Sequence, residues 1–274
     1  MSSIALDPRT VNTQAPDHDD VTTVRVLKSE WIKLRTLRSS WWTLGAAVVA
    51  MIAIGLLVSY VTSTSNWAKL DLEDTVASAP LQGYHLAELL MGVLGVLFVS
   101  GEYGTGMIRS TFAAVPKRLP VLGAKSAVFG VVALVIMTAA SFATFFAGQI
   151  ILSADGHGSS LSDPGALRSV AGVGLYLALI GLLGGAFGWI VRSTAGAISG
   201  LFGLLLIIPV IIGLLPGSVS TTLAQYFPSN AGGSFLTSVQ LPDTLGPWTG
   251  IGVLGLWVAA ALAVAAVVIR RRDA

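Results

Sequence analysis

Six apolar runs, each close to the length that crosses a bilayer, occupy most of this 274-residue chain and leave little else for it to fold into. Spanning the hydrocarbon takes about 20 apolar residues at about 1.5 Å each. The runs are Trp41 to Val61, Tyr84 to Ser100, Ala127 to Leu152, Val170 to Val191, Ala195 to Leu215 and Trp248 to Ile269. Only 11% of the residues are charged, against about a quarter in soluble domains. The spacing predicts an all-α integral membrane protein with six transmembrane helices. The third run is long enough to tilt or to project past the bilayer, and Pro209 predicts a kink in the outer third of the fifth.

Positive charge sets the orientation. With the amino terminus inside, fourteen Lys and Arg residues fall in inner segments, while the outer loops hold only Lys69 and Arg168. Asp71, Glu73, Asp74, Asp155, Asp163 and Asp243 all fall outside. This bias predicts that both termini are cytosolic. The basic residues flank apolar runs rather than covering a soluble face, which argues against nucleic acid as a partner. Residues 1–22, rich in Ser, Thr, Asp and Pro, read as a disordered cytosolic tail. Residues 23–40 follow as an amphipathic helix, with Val24, Leu27, Trp31, Leu34 and Leu37 on one stripe. It serves either as a general anchor before the first span or as a dedicated contact helix. The remainder, 41–274, is the six-span domain.

Between the second and third runs lies a polar, basic island, GEYGTGMIRSTFAAVPKRLPVLGAK, from Gly101 to Lys125. Charge counting places it on the cytosolic side. Met107 to Val115 is compact enough for a short helix that Pro116 stops, hung between two spans where a partner could dock. Glu102 and Arg109, seven residues apart, would sit two turns apart on a helix. They cannot pair directly without bending at Gly104 and Gly106, so each serves local structure or a partner. The loop from Pro216 to Pro247 holds no Lys or Arg, and Leu223, Tyr226, Phe227, Phe235 and Leu236 make it too apolar for a solvated linker. A short helical or re-entrant cap on the outer leaflet is expected there, and a solvated loop from Thr62 to Gly83. Gly181 with Gly185, Gly184 with Gly188 and Gly196 with Gly200 carry the spacing that lets helix backbones approach, or simply reflect a chain with 31 glycines.

No catalytic constellation is present in the sequence. HExxH and GxSxG are missing, cysteine is absent, and His18, His85 and His157 fall in separate regions, so no metal site is expected. Lys125–Ser126 matches the end of a phosphate-binding loop, but Ala124 and Leu119 stand where that loop needs glycine, so this chain should not bind ATP itself. Glu88, one turn after His85 near the outer headgroup level, is the carboxylate to explain. The two either form an ion-coupled or substrate-contacting pair in a translocation path, or reach the interface or a partner within the bundle.

Three stretches resemble the permease subunits of ATP-binding-cassette transporters, in the six-span type-2 exporter family, especially actinobacterial members. They are SEWIKLRTLRSSWW, GEYGTGMIRSTFAAVPKRLPVLGAK and YFPSNAGGSF. The resemblance implies an elbow helix along the inner membrane face with Glu30, Trp31, Lys33 and Leu34, and a coupling helix from Thr105 to Pro116 that enters a groove on an ATPase. Coupling would then fall to Glu102, Tyr103, Gly104, Thr105, Gly106, Arg109, Thr111, Pro116 and Arg118. It further implies outer re-entrant helices in the Pro216 to Pro247 loop, a second permease chain making a homo- or heterodimer, ATP–Mg on the partner ATPase subunit, and a place among the lipids of a bacterial plasma membrane. The function expected is an exporter subunit for a hydrophobic or amphiphilic substrate. The rivals are an ion-coupled secondary transporter or channel using Glu88 and His85, and a non-transporting assembly or immunity factor.

Overall fold

The computed structural model describes residues 22–64, 78–154, 158–238 and 243–271. The expected tail up to residue 21, the middle of the Thr62 to Gly83 loop, His18 and His157 lie outside these residues. The described residues are helical with connecting turns, and no strand occurs among them. Helix α1 (Thr23–Thr36) breaks at Leu37 into α2 (Arg38–Thr64). A 3-10 segment (Ala79–Gly83) leads into α3 (Tyr84–Gly104), followed by the short α4 (Met107–Ala114) and the long α5 (Leu119–Ala154). Helix α6 (Ala166–Val191) precedes a fifth span in three parts: α7 (Thr194–Phe202), a π-helical stretch (Gly203–Ile207) and α8 (Ile208–Gly213). Two short helices, α9 (Ser218–Ala224) and α10 (Pro228–Gly233), then lead to α11 (Pro247–Arg271). Six of these segments are long and apolar enough to cross a membrane.

Helix α6 is the centre of the bundle. In its apolar window 67% of residues are buried, against 17% in α11, so α6 packs on protein all round while α11 keeps a broad face for lipid. Glycine brings α6 and α3 together. A Cβ on Gly184 would overlap the Gly92 carbonyl, and one on Gly95 would overlap the Gly181 carbonyl. These two parallel helices therefore touch backbone to backbone, which small residues alone permit. The glycine spacing of the fourth span thus marks a real close approach, and its partner is the second span. Gly196 and Gly200 sit under the Val191 and Phe187 side chains instead.

The second span is longer than the expected Tyr84 to Ser100. It runs to Gly104, so Glu102 and Tyr103 belong to its last turn, and the 3-10 segment extends its other end. The third span starts at Leu119 rather than Ala127, which draws Lys125 into a helix. Helix α5 also runs on past the start of α6. The Ser141 hydroxyl donates to the Val170 carbonyl near the start of α6 (2.7 Å), and α5 continues to Ala154, thirteen residues or about 20 Å further.

The fifth span changes from α to π winding just ahead of the proline. Pro209 has no N–H, and its ring blocks the carbonyl four residues back, that of Leu205. The Ser229 hydroxyl from α10 donates to that freed carbonyl at 3.2 Å. The apolar loop predicted after this span is helical, as α9 and α10; α9 stays exposed and α10 packs inward. Gly232 lies against the Tyr176 ring and Gly250 against the Ala231 carbonyl. Arg168, at the start of α6, donates to the Phe235 (3.2 Å) and Thr237 (2.7 Å) carbonyls and ties the end of this loop down.

The stripe expected to carry α1 needs correction. The protein-facing residues are Val26, Glu30 and Leu34, while Val24, Trp31 and Leu37 are exposed. Val24, Trp31 and Ile32 form an exposed apolar strip, and the face that meets protein carries a charge, Glu30.

Candidate functional site

The basic end of the bundle gathers α1, α4, the last turn of α3, the first turns of α5 and the end of α11. At its centre lie four charges. Lys125 Nζ is 2.8 Å from Glu30 Oε2 and 2.8 Å from Glu102 Oε1. Lys33 Nζ is 2.7 Å from Glu30 Oε1, 3.1 Å from Glu102 Oε1 and 3.1 Å from Thr111 Oγ1. Lys125 also lies 4.3 Å from the centre of the Phe98 ring. Glu30, Glu102 and Lys125 are at most 3% exposed.

Two carboxylates and two ammonium groups cancel, which is the condition for keeping charges out of water. Each carboxylate touches both lysines, so the cluster fastens three helices, α1, α3 and α5, with one set of contacts. Burial by itself would lower the pKa of Lys33. The Glu30 and Glu102 carboxylates outweigh burial and hold it above its ordinary value.

Helix α4 is anchored to this cluster through Thr111 and to the bundle through an aromatic stack. Ile108 and Phe112 are buried. The Phe112 ring stacks on Trp189 of α6 (6.5 Å between centroids), and Tyr103 meets Trp189 edge-on (5.9 Å). Arg118 lies over Phe112 and donates to the Ile269 carbonyl of α11 at 3.1 Å, and Arg192 lies over Tyr103. The helix starts at Gly106, whose φ of 74° belongs to the left-handed region that glycine enters freely. The Thr105 hydroxyl bonds back to the Gly101 carbonyl at 2.9 Å and closes α3. Arg109, Ser110, Ala113 and Ala114 face outward, as do Gly104 and Pro116.

The structure therefore brings Glu30, Lys33, Glu102 and Thr111 into direct contact, with Tyr103 and Arg118 beside them. Leu34 joins the main apolar core, and Trp31 stays at the surface. Arg109 and Glu102 do not meet. Lys125 was missed by sequence reasoning, which weighed it only against a phosphate-binding loop. The available signal was helical: a lysine 23 residues after Glu102, inside an apolar run once the third span is extended back to Leu119.

At the opposite end, Glu88 accepts a hydrogen bond from the Tyr176 hydroxyl. Tyr176 is ten residues into α6 from Ala166, about 15 Å along the helix. Glu88 therefore lies inside the bundle rather than at its rim, with the 3-10 segment continuing the chain beyond it. His85 packs its ring against Tyr84, 4.0 Å between centroids, so of the two readings of Glu88 the one with a partner inside the bundle holds, and that partner is a tyrosine from another span.

Six apolar helices around a buried, neutral ion cluster define a multi-pass membrane protein, with no group of three or more His, Cys, Asp or Glu placed to hold a metal among the described residues. Residues 26–208 match the family described as ABC-2 family transporter protein, a stretch that includes α1, the ion cluster, α4 and the π-helical stretch. The chain belongs to that family of ATP-binding-cassette transporter membrane components. No curated protein matches it.

Proposed function

We propose that this chain is the transmembrane half of an ATP-driven exporter, working with separate ATPase subunits that carry ATP–Mg and with a second permease chain. The observation that carries the reading is α4. It is held rigidly on its inner face by Ile108, Phe112 and the Lys33–Thr111 bond, and it presents Arg109, Ser110, Ala113 and Ala114 outward. A surface helix fixed to α1 and to the central span α6 transmits a push instead of absorbing it, since packed elements move as units. The basic end of the bundle faces the cytosol by charge bias. ATP binding draws the ATPases together, α4 moves with them, and Trp189 and the ion cluster pass the displacement to α6 and α1. The cargo is hydrophobic or amphiphilic, and it leaves on the α9–α10 side.

The absence of native cysteine makes the test clean. Ala113→Cys is expected to crosslink to a co-expressed ATPase and to lose that crosslink when Arg109→Glu is added. Free maleimide labelling at Ala113→Cys in transport-competent membranes, with no ATPase retained on gentle purification, refutes the docking role.

A further inference from the structure

Between α3, the π-helical part of the fifth span and the pair α9–α10 lies a cavity of about 570 Å³. That is the size range of sites for drug-sized molecules. Leu205, Leu206, Pro209 and Val210 of the fifth span give it an apolar wall, and Ser229 and Asn230 from α10 give it polar groups. Glu88 and Tyr176, both buried, also line it.

The charge of this cavity is one-sided. Among the described residues its lining holds the carboxylates of Glu88 and Asp243 and no Lys or Arg, and His85 is the one group there able to become cationic. Glu88 is 5% exposed, and among the described residues its one hydrogen-bond donor is Tyr176, on Oε2. A carboxylate has about four acceptor positions, so Oε1 is left to a ligand. A carboxylate in low-dielectric surroundings is costly without a counter-charge, and the basic end balances its own carboxylates with lysines while this end does not. Tyr84 stands edge-on to Tyr176 at 5.7 Å, so two electron-rich rings flank the carboxylate. Rings and a carboxylate together favour an organic cation, whose apolar substituents fit the aliphatic wall. Among the described residues no group of three or more His, Cys, Asp or Glu stands here to hold a metal ion.

We infer that this cavity binds an amphiphilic organic cation, with its charge against Glu88 between Tyr84 and Tyr176 and its apolar body against Leu205, Leu206 and Val210. This narrows the cargo class and rests on the exporter reading above.

The test uses the full chain in phosphatidylcholine nanodiscs, with tetraphenylphosphonium and the shape-matched anion tetraphenylborate as probes and empty nanodiscs as background. Saturable binding of the cation and not of the anion is expected. Glu88→Gln, which keeps the acceptor for Tyr176, should weaken cation binding by about tenfold or more, and Val210→Trp should weaken it by filling the cavity without touching the carboxylate. Equal binding of both probes overturns the inference, as does cation binding unchanged in a folded Glu88→Gln chain. Should Glu88→Gln fail to fold, Val210→Trp decides: unchanged binding there overturns the inference. The Ala113→Cys crosslink is measured on the same variants. A retained crosslink without cation binding sinks only the cargo assignment, and cation binding without a crosslink sinks only the docking role.

Discussion

Replacing Lys125 by Met should destabilise the protein more than any other single change in the ion cluster. Methionine keeps the length of the side chain and removes its charge, leaving Glu30 and Glu102 with Lys33 alone. The side chains of Lys125, Glu30 and Glu102 are 2%, 1% and 3% exposed, so water cannot take over the lost pairing. Removing one partner of a buried pair costs about 3–5 kcal/mol. Each 1.4 kcal/mol is about tenfold in an equilibrium, so the folded fraction relative to the unfolded should fall at least about a hundredfold. Lys33→Met should cost less, about 1 kcal/mol, because Lys33 is 21% exposed and shares its role with solvent. The informative variant is the double change Lys125→Met with Glu102→Gln. It removes opposite charges together and leaves the Glu30–Lys33 pair neutral, so it should be milder than the two single effects summed, by about 1–3 kcal/mol. Denaturant unfolding of the purified protein, followed by tryptophan fluorescence, measures all four. The reasoning is refuted if Lys125→Met unfolds at the wild-type denaturant concentration, or if the two changes simply add.

The titration of Lys33 gives a second expectation. Its folded pKa is raised above 10.5, so its contribution is fully present below the ordinary value and is lost only as pH rises through the folded one. The stability difference between wild type and Lys33→Met should therefore be flat from about pH 6 to about pH 9 and shrink only at stronger alkalinity. A difference that fades on the acid side of neutrality would contradict this sign. The glycine contact gives a third. Gly184→Ala must push α6 off the Gly92 carbonyl and should cost about 1–3 kcal/mol or more in the same unfolding assay. Gly123→Ala, with nothing within 4 Å of the added methyl, should be neutral or gain up to about 1 kcal/mol.

The number and order of spans were legible in the sequence because bilayer crossing imposes a length and an apolar composition that each segment must satisfy alone. The short helix α4 was legible too, since Pro116 and Gly106 punctuate it locally, and Pro209 marked where the fifth span departs from regular α-helix. What could not be read was partnership between segments far apart in the chain. Glu30, Glu102 and Lys125 come from α1, α3 and α5, and nothing near any one of them in sequence says that its counter-charge lies on another helix. For Glu88 the sequence offered a pairing with His85, one turn away, or a partner within the bundle, and only the fold names that partner, Tyr176, 88 residues on. Span ends were misjudged for the same reason. A charged residue reads as the end of an apolar run, and only tertiary pairing lets Glu102 and Lys125 continue their helices into the protein interior.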